Sequence, residues 1–201
     1  MGISPNQFRQ MQERLGGARR ASPVLDAMPG MVSRRHEIIL GLDPSLRGTG
    51  YGVIRLARPF PRALEHGTIT CAVNWPHSRC LLQIMQALRE VLQRHRPTLC
   101  VVEGLFYAQN LKTALVMGEA RGAAMAVAAE AGLEIYELAP RKVKQAIVGY
   151  GAAHKLAVAK MVQRLLRLPE APEADAADAL ALALAHIQGN GRVGLNLPKR
   201  I

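Results

Sequence analysis

Residues 37–54 read E-I-I-L-G-L-D-P-S-L-R-G-T-G-Y-G-V-I. The first seven form an apolar run that ends in a carboxylate, Asp43. A run with so little polar alternation is what a central strand covered on both faces requires. Pro44 holds Asp43 in an extended conformation and keeps it out of a helix. A turn over 44–50 follows, and 51–56 resumes a strand, so the stretch predicts a hairpin. Working outward, 64–70 fits a third strand. Residues 76–94 read as a helix with Leu81, Leu82, Met85, Leu88 and Leu92 on one side. The segment T-L-C-V-V-E at 98–103 is another buried strand. It is followed by a long Ala-rich helix at 110–131, a strand at 133–138, and helices at 141–148, 154–168 and 175–188. Three strands, then alternating helix and strand, then closing helices predict an α/β fold: a five-stranded mixed sheet with helices on both faces.

The chain of 201 residues is 49% hydrophobic, enough for one domain with a substantial core. Residues 1–36, punctuated by Gly16-Gly17, Pro23 and Pro29-Gly30, read as a basic, disordered N-terminal extension. The folded domain is expected over 37–188, and 189–201 as a loop-like tail. Lys and Arg number 26 against 15 Asp and Glu, a formal net charge of +11, which favours a polyanionic partner. The extension holds six Arg against Glu13 and Asp26, so most of the surplus lies on the domain. No apolar run is long enough to cross a bilayer, and no signal-peptide pattern opens the chain. Cys71, Cys80 and Cys100 are odd in number and lack a C-x-x-C spacing, which argues against a disulfide framework or a cysteine zinc site and fits a cytoplasmic location. The six histidines are scattered, with no pair at metal-ligand spacing.

Four carboxylates hold unusual places. Asp43 and Glu103 each close a buried strand, at the carboxyl ends where open α/β sheets form their sites. Asp175 and Asp178, in E-A-D-A-A-D-A-L-A-L-A-L-A, stand three apart near a helix start and share a face. Each has an ordinary explanation alone: a turn opener at Asp43, a loop acid at Glu103, and helix-dipole acids at 175 and 178. Four converging carboxylates would repel unless protonated or neutralised by cations, and hard divalent ions with oxygen ligands would relieve that repulsion.

These residues also carry a resemblance. I-I-L-G-L-D-P-S-L-R-G-T-G-Y-G-V-I (38–54), V-V-E-G-L-F-Y-A-Q-N (101–110), G-E-A-R-G (118–122), P-R-K-V-K-Q-A-I-V-G-Y-G-A-A-H-K (140–155) and A-D-A-A-D-A-L-A (174–181) resemble, in order, the motifs of RuvC-family Holliday-junction resolvases. The resemblance spans 38 to about 186. It implies an RNase H-like fold, a homodimer, and Mg²⁺-dependent cutting of four-way DNA junctions, with Mn²⁺ as an alternative and two ions per site. It implies that Asp43, Glu103, Asp175 and Asp178 are the metal-binding catalytic acids and that Lys155 acts at the scissile phosphate. Lys144 would act nearby, Phe106 would stack on bases of the opened junction, and Tyr107 would assist. Lys112 and Arg121 are further expected DNA contacts. A RuvA–RuvB-type branch-migration complex is an implied partner, and no membrane is. Two features depart from the family pattern. Ser45 stands where D-P-G is usual, so either it adopts a glycine-like backbone or the turn is reshaped. Glu103 is followed by Gly104, which would loosen the approach to Phe106.

Three other readings remain open to the sequence. An actin–hexokinase-class ATPase also carries an acid and glycines in its first hairpin, but needs a second phosphate loop and usually a second domain. An RNase H-like nuclease acting on RNA–DNA hybrid would use the same acids. A non-catalytic junction-binding protein would share the fold, although all four acids are present.

Overall fold

The computed structural model describes residues 37–104, 110–190 and 199–201. The expected N-terminal extension, Phe106, Tyr107 and most of the expected tail lie outside them. The chain order is β1 (Ile38–Asp43), β2 (Gly48–Arg55), β3 (Arg62–Thr70), α1 (His77–His95), β4 (Leu99–Glu103), α2 (Leu111–Glu130), β5 (Glu134–Leu138), α3 (Pro140–Val148), α4 (Lys155–Leu166), α5 (Ala174–Asn190) and β6 (Lys199–Arg200).

The strands form one mixed sheet in the order β3-β2-β1-β4-β5-β6. The hairpin β1–β2 and the pair β2–β3 are antiparallel, while β1–β4 and β4–β5 are parallel. Among the described residues the sheet has six strands, not the five expected. Lys199 and Arg200 pair antiparallel with Glu137 and Tyr136 on the free edge of β5. A two-residue, wholly basic strand has no apolar pattern to announce it, and only the waiting edge makes it a strand. β2 also starts earlier than expected, at Gly48, because Gly50 pairs with Asp43 and Gly48 with Thr70.

Side-chain alternation along β1 and β4 divides the interior into two cores. Leu40, Leu42, Cys100 and Val102 face one way, onto α1 and α2. Ile39, Leu99 and Val101 face the other, onto α3, α4 and α5. The helices therefore cover both faces. α5 lies in the middle of its layer, with β1, β2, β3 and β4 beneath it and α3 and α4 against it. Its middle is accordingly apolar all round, with residues 179–185 all buried.

Glycines set how closely α5 can lie. A Cβ on Gly41 would stand 1.9 Å from the Ala179 carbonyl oxygen, and one on Gly50 2.0 Å from that of Asp175. Neither neighbour can yield, because both are backbone. We expect Gly41→Ala to destabilise the protein by about 1–3 kcal/mol, lowering Tm by roughly 3–10 °C in a thermal melt. An unchanged Tm would mean that α5 does not rest on β1 as described.

Candidate active site

Asp43 and Glu103 are the last residues of β1 and β4, neighbouring parallel strands whose register pairs Leu42 with Val102. The two acids are thus adjacent. By alternation both point to the face that α5 covers. The first turns of α5 carry Asp175 and Asp178, and the helix starts beside the acids because its Asp175 backbone sits on Gly50, the register partner of Asp43. Chain segments far apart in sequence are brought together by one sheet register and one helix seat.

The turn after Asp43 is held without glycine. Among the described residues the only non-glycine positive-φ positions are Arg96 and Arg167, so Ser45 does not adopt a left-handed backbone. Its hydroxyl accepts from the Gly48 N–H at 3.2 Å, and its carbonyl accepts from the Thr49 hydroxyl at 2.6 Å. Thr49 is fully buried. Arg47, in the same turn, donates to the Trp75 carbonyl at 3.0 Å and to the Ala72 carbonyl, fastening the turn to the segment that enters α1.

The electrostatics show how the acids coexist. Burial, then the charge of Glu103, pushes the Asp43 carboxyl up to about 8, so near neutrality it keeps its proton and shares a hydrogen bond with Glu103. Burial also raises Glu103, with Asp178 adding to the effect, while the bond from Asp43 and the charges of Lys155 and Lys144 oppose it. Lys155 Nζ lies 3.1 Å from Asp178 Oδ2, and that carboxylate raises the lysine further. Among the described residues no three metal-ligating side chains stand at the spacing of a ready-made metal cage. The negative charge is offset by a proton on Asp43 and by the ammonium of Lys155. The donor set nonetheless fits a hard divalent cation: it is all carboxylate oxygen, and both offsetting charges can leave.

Of the other expected residues, Lys144 acts on Glu103 through its charge, and Lys112 is exposed in the first turn of α2. Arg121 is placed differently. Its side chain is only 11% exposed, and it is ion-paired with Glu137 on the opposite face of the sheet from the acids. That pairing ties α2 to β5 and leaves the guanidinium little freedom to meet DNA. Sequence reasoning missed Gly41 and Gly50 as determinants of the site. Their signal was there, since glycines within a strand mark a close backbone approach.

An acid at the end of each of two central strands thus faces a helix that carries two more, with Lys155 against them. The family model described as "Crossover junction endodeoxyribonuclease RuvC" matches residues 39–186. The relative of that name from Akkermansia muciniphila is 46% identical over 149 residues, 74% of this chain and 89% of its own length. Another so named, from Chromohalobacter salexigens, is 44% identical over 161 residues, 80% of this chain and 85% of its own. The structure of T. thermophilus RuvC in complex with Holliday junction substrate superposes with a TM-score of 0.75 at 35% identity, covering 83% of this chain and all of that one. This chain belongs to the RuvC family, and that membership implies use of a divalent metal.

The raised Asp43 has a consequence for the metal-free protein. Its folded value lies above the unfolded one, so its contribution to stability is full below about pH 4. That contribution falls as pH rises and is gone above about 8. In chelator, wild-type Tm should fall relative to Asp43→Asn between about pH 5 and 8 and then level off. Parallel curves for the two proteins would refute the protonated Asp43.

Proposed function

We propose that this protein is a structure-selective endonuclease that resolves four-way DNA junctions by paired symmetric nicks in recombination and repair. The reading rests above all on the meeting of Asp43 and Glu103 with the start of α5, under the charges of Lys144 and Lys155, in a chain of net charge +11. The RuvC relatives are named for this activity. Asp43, Glu103, Asp175 and Asp178 would hold two Mg²⁺ ions, or Mn²⁺. Bound there, the ions would supply water activation and charge stabilisation for in-line displacement at the phosphate.

The remaining steps belong to the chain. Asp43 gives up its proton when the site is loaded. Lys155, freed from Asp178, turns its exposed ammonium to the scissile phosphate, where a compact point charge offsets the charge that gathers. Lys144 holds the same strand, and Lys112 meets backbone nearby. Phe106 and Tyr107, on the resemblance alone, stack on unpaired bases.

Two cuts of matching polarity call for two sites related by a twofold axis, hence a homodimer. α2 supports this. It buries Ala120, Ala124, Val127 and Ala128 but leaves Leu111 76% and Leu115 60% exposed, with open space above Gly118 and Gly122. An apolar helix face of this kind calls for a partner, here a second copy. A RuvA–RuvB-type complex as partner rests on the resemblance. Three free, buried cysteines suit the cytoplasm. No helix among the described residues is long and apolar enough to cross a membrane.

With Mg²⁺ and a synthetic four-way junction, the wild type should make paired symmetric nicks. Glu103→Gln should bind the junction yet leave it uncut, and Lys155→Ala should cut about 10²–10³-fold more slowly. Binding without any cutting by the wild type would leave a junction-binding protein on a nuclease fold. Leu115→Glu should convert a dimer to a monomer in sedimentation, and an unaltered dimer would place the interface elsewhere.

A further inference from the structure

The catalytic reading uses only the first residue of α4. The helix then runs away from the acids, K-L-A-V-A-K-M-V-Q-R-L-L, without a single acidic residue. Lys160 and Arg164 are exposed one helical turn apart, and Arg167, the left-handed cap residue just past the helix end, is exposed after them, so the three form one basic stripe. At its far end the guanidinium of Arg167 lies 3.9 Å over the ring of Phe60, which is 45% exposed. Together they line a recess with Arg58 and Arg62, and no acid is among its lining residues. Among the described residues none of these five cations is ion-paired to a carboxylate, whereas Arg89, Arg94, Arg121 and Arg200 all are. Like charges gathered without counter-charge repel, an arrangement relieved by a bound polyanion.

We propose that this stripe and the Arg58–Arg62 recess form a second DNA contact, a track that holds one duplex arm of the junction beyond the site. The proposal rests on the junction-cutting function inferred above. From Lys155 to Leu166 the helix rises about 16 Å along its axis. At 3.4 Å per base pair the track ends about five base pairs from the scissile phosphate. The occupant is duplex rather than single strand. The stripe offers charges along a straight line but no aromatic platforms along it, and Phe60 already has Arg167 over its face. It grips backbone and therefore positions an arm without reading its sequence.

The test uses full-length protein carrying Glu103→Gln, so that nothing is cut, and compares it with the same protein also carrying Lys160→Ala, Arg164→Ala and Arg167→Ala. The probes are a four-way junction and the same junction with uncharged methylphosphonate linkages centred about five base pairs from the cleavage phosphate in every arm. The parent should bind the uncharged version about tenfold more weakly. The triple variant should bind the ordinary junction about tenfold more weakly, with a salt slope shallower by about 2–3, and should lose nothing more on the uncharged one. The replaced side chains are exposed, so an unchanged Tm will show that the fold is intact. Equal binding by variant and parent would overturn the proposal and turn the stripe over to an acidic protein partner. Losses that multiply would overturn it too, because they would place the stripe and those phosphates apart. A parent protein with no preference for junction over linear duplex would instead sink the function on which the proposal rests.

Discussion

The contact on which everything else depends is backbone against backbone: the first two turns of α5 lying on β1 and β2. Side chains normally hold a helix about 10 Å from a sheet. Here Gly41 and Gly50 remove that spacer, and the carbonyls of Ala179 and Asp175 occupy the room that two Cβ atoms would take. Most packing interfaces can absorb a methyl group by adjusting rotamers, but a carbonyl in a helix has no rotamer to change. The position of Asp175 and Asp178 relative to Asp43 is therefore fixed by covalent geometry and a sheet register rather than by flexible contacts. A site that must gather four acids benefits from that stiffness, since mutual repulsion would otherwise spread them.

The same stiffness leaves the charge problem to be solved by mobile groups. One carboxyl keeps a proton, and one carboxylate borrows an ammonium from the start of α4. Neither solution is permanent. A proton leaves readily, and Lys155 is an exposed side chain on a flexible stem. The rigid part of the site is the set of anchors, and the exchangeable part is the set of positive charges. The turn after Asp43 belongs to the rigid part. Ser45 and Thr49 bond it internally, and Arg47 carries its position across to the entry of α1, so the core beneath the other face also holds the acid in place.

Much of this was legible in the sequence, and for identifiable reasons. Two uninterrupted apolar runs ending in Asp43 and Glu103 announce central strands with acids at their ends, because burial on both faces removes alternation. Asp175 and Asp178 are legible because nothing else polar competes on an Ala/Leu helix. What escaped was set by tertiary neighbours. Gly48 and Gly50 read as turn residues, yet they belong to β2, where the seat of α5 makes a missing side chain an advantage. β6 has no pattern of its own and exists through the edge of β5. Ser45, against the family's usual glycine, suggested an altered turn, while its hydroxyl and the Thr49 beneath it build the turn by hydrogen bonding. Arg121 looked like one more cation for DNA, and only the alternation of β5 shows that Glu137 waits for it on the far face.

The order in which these parts leave the ribosome gives the seat of α5 a further meaning. The sheet strands bearing Asp43 and Glu103 are made first, and the helix bearing the other two acids is the last long element of the domain. Because the acids on α5 meet those on the strands only through contacts distant in sequence, the site closes late in folding. A chain interrupted before α5 holds half of the acids and half of a core, and has no means of gathering the rest. The four acids are therefore assembled only once the final helix is in place.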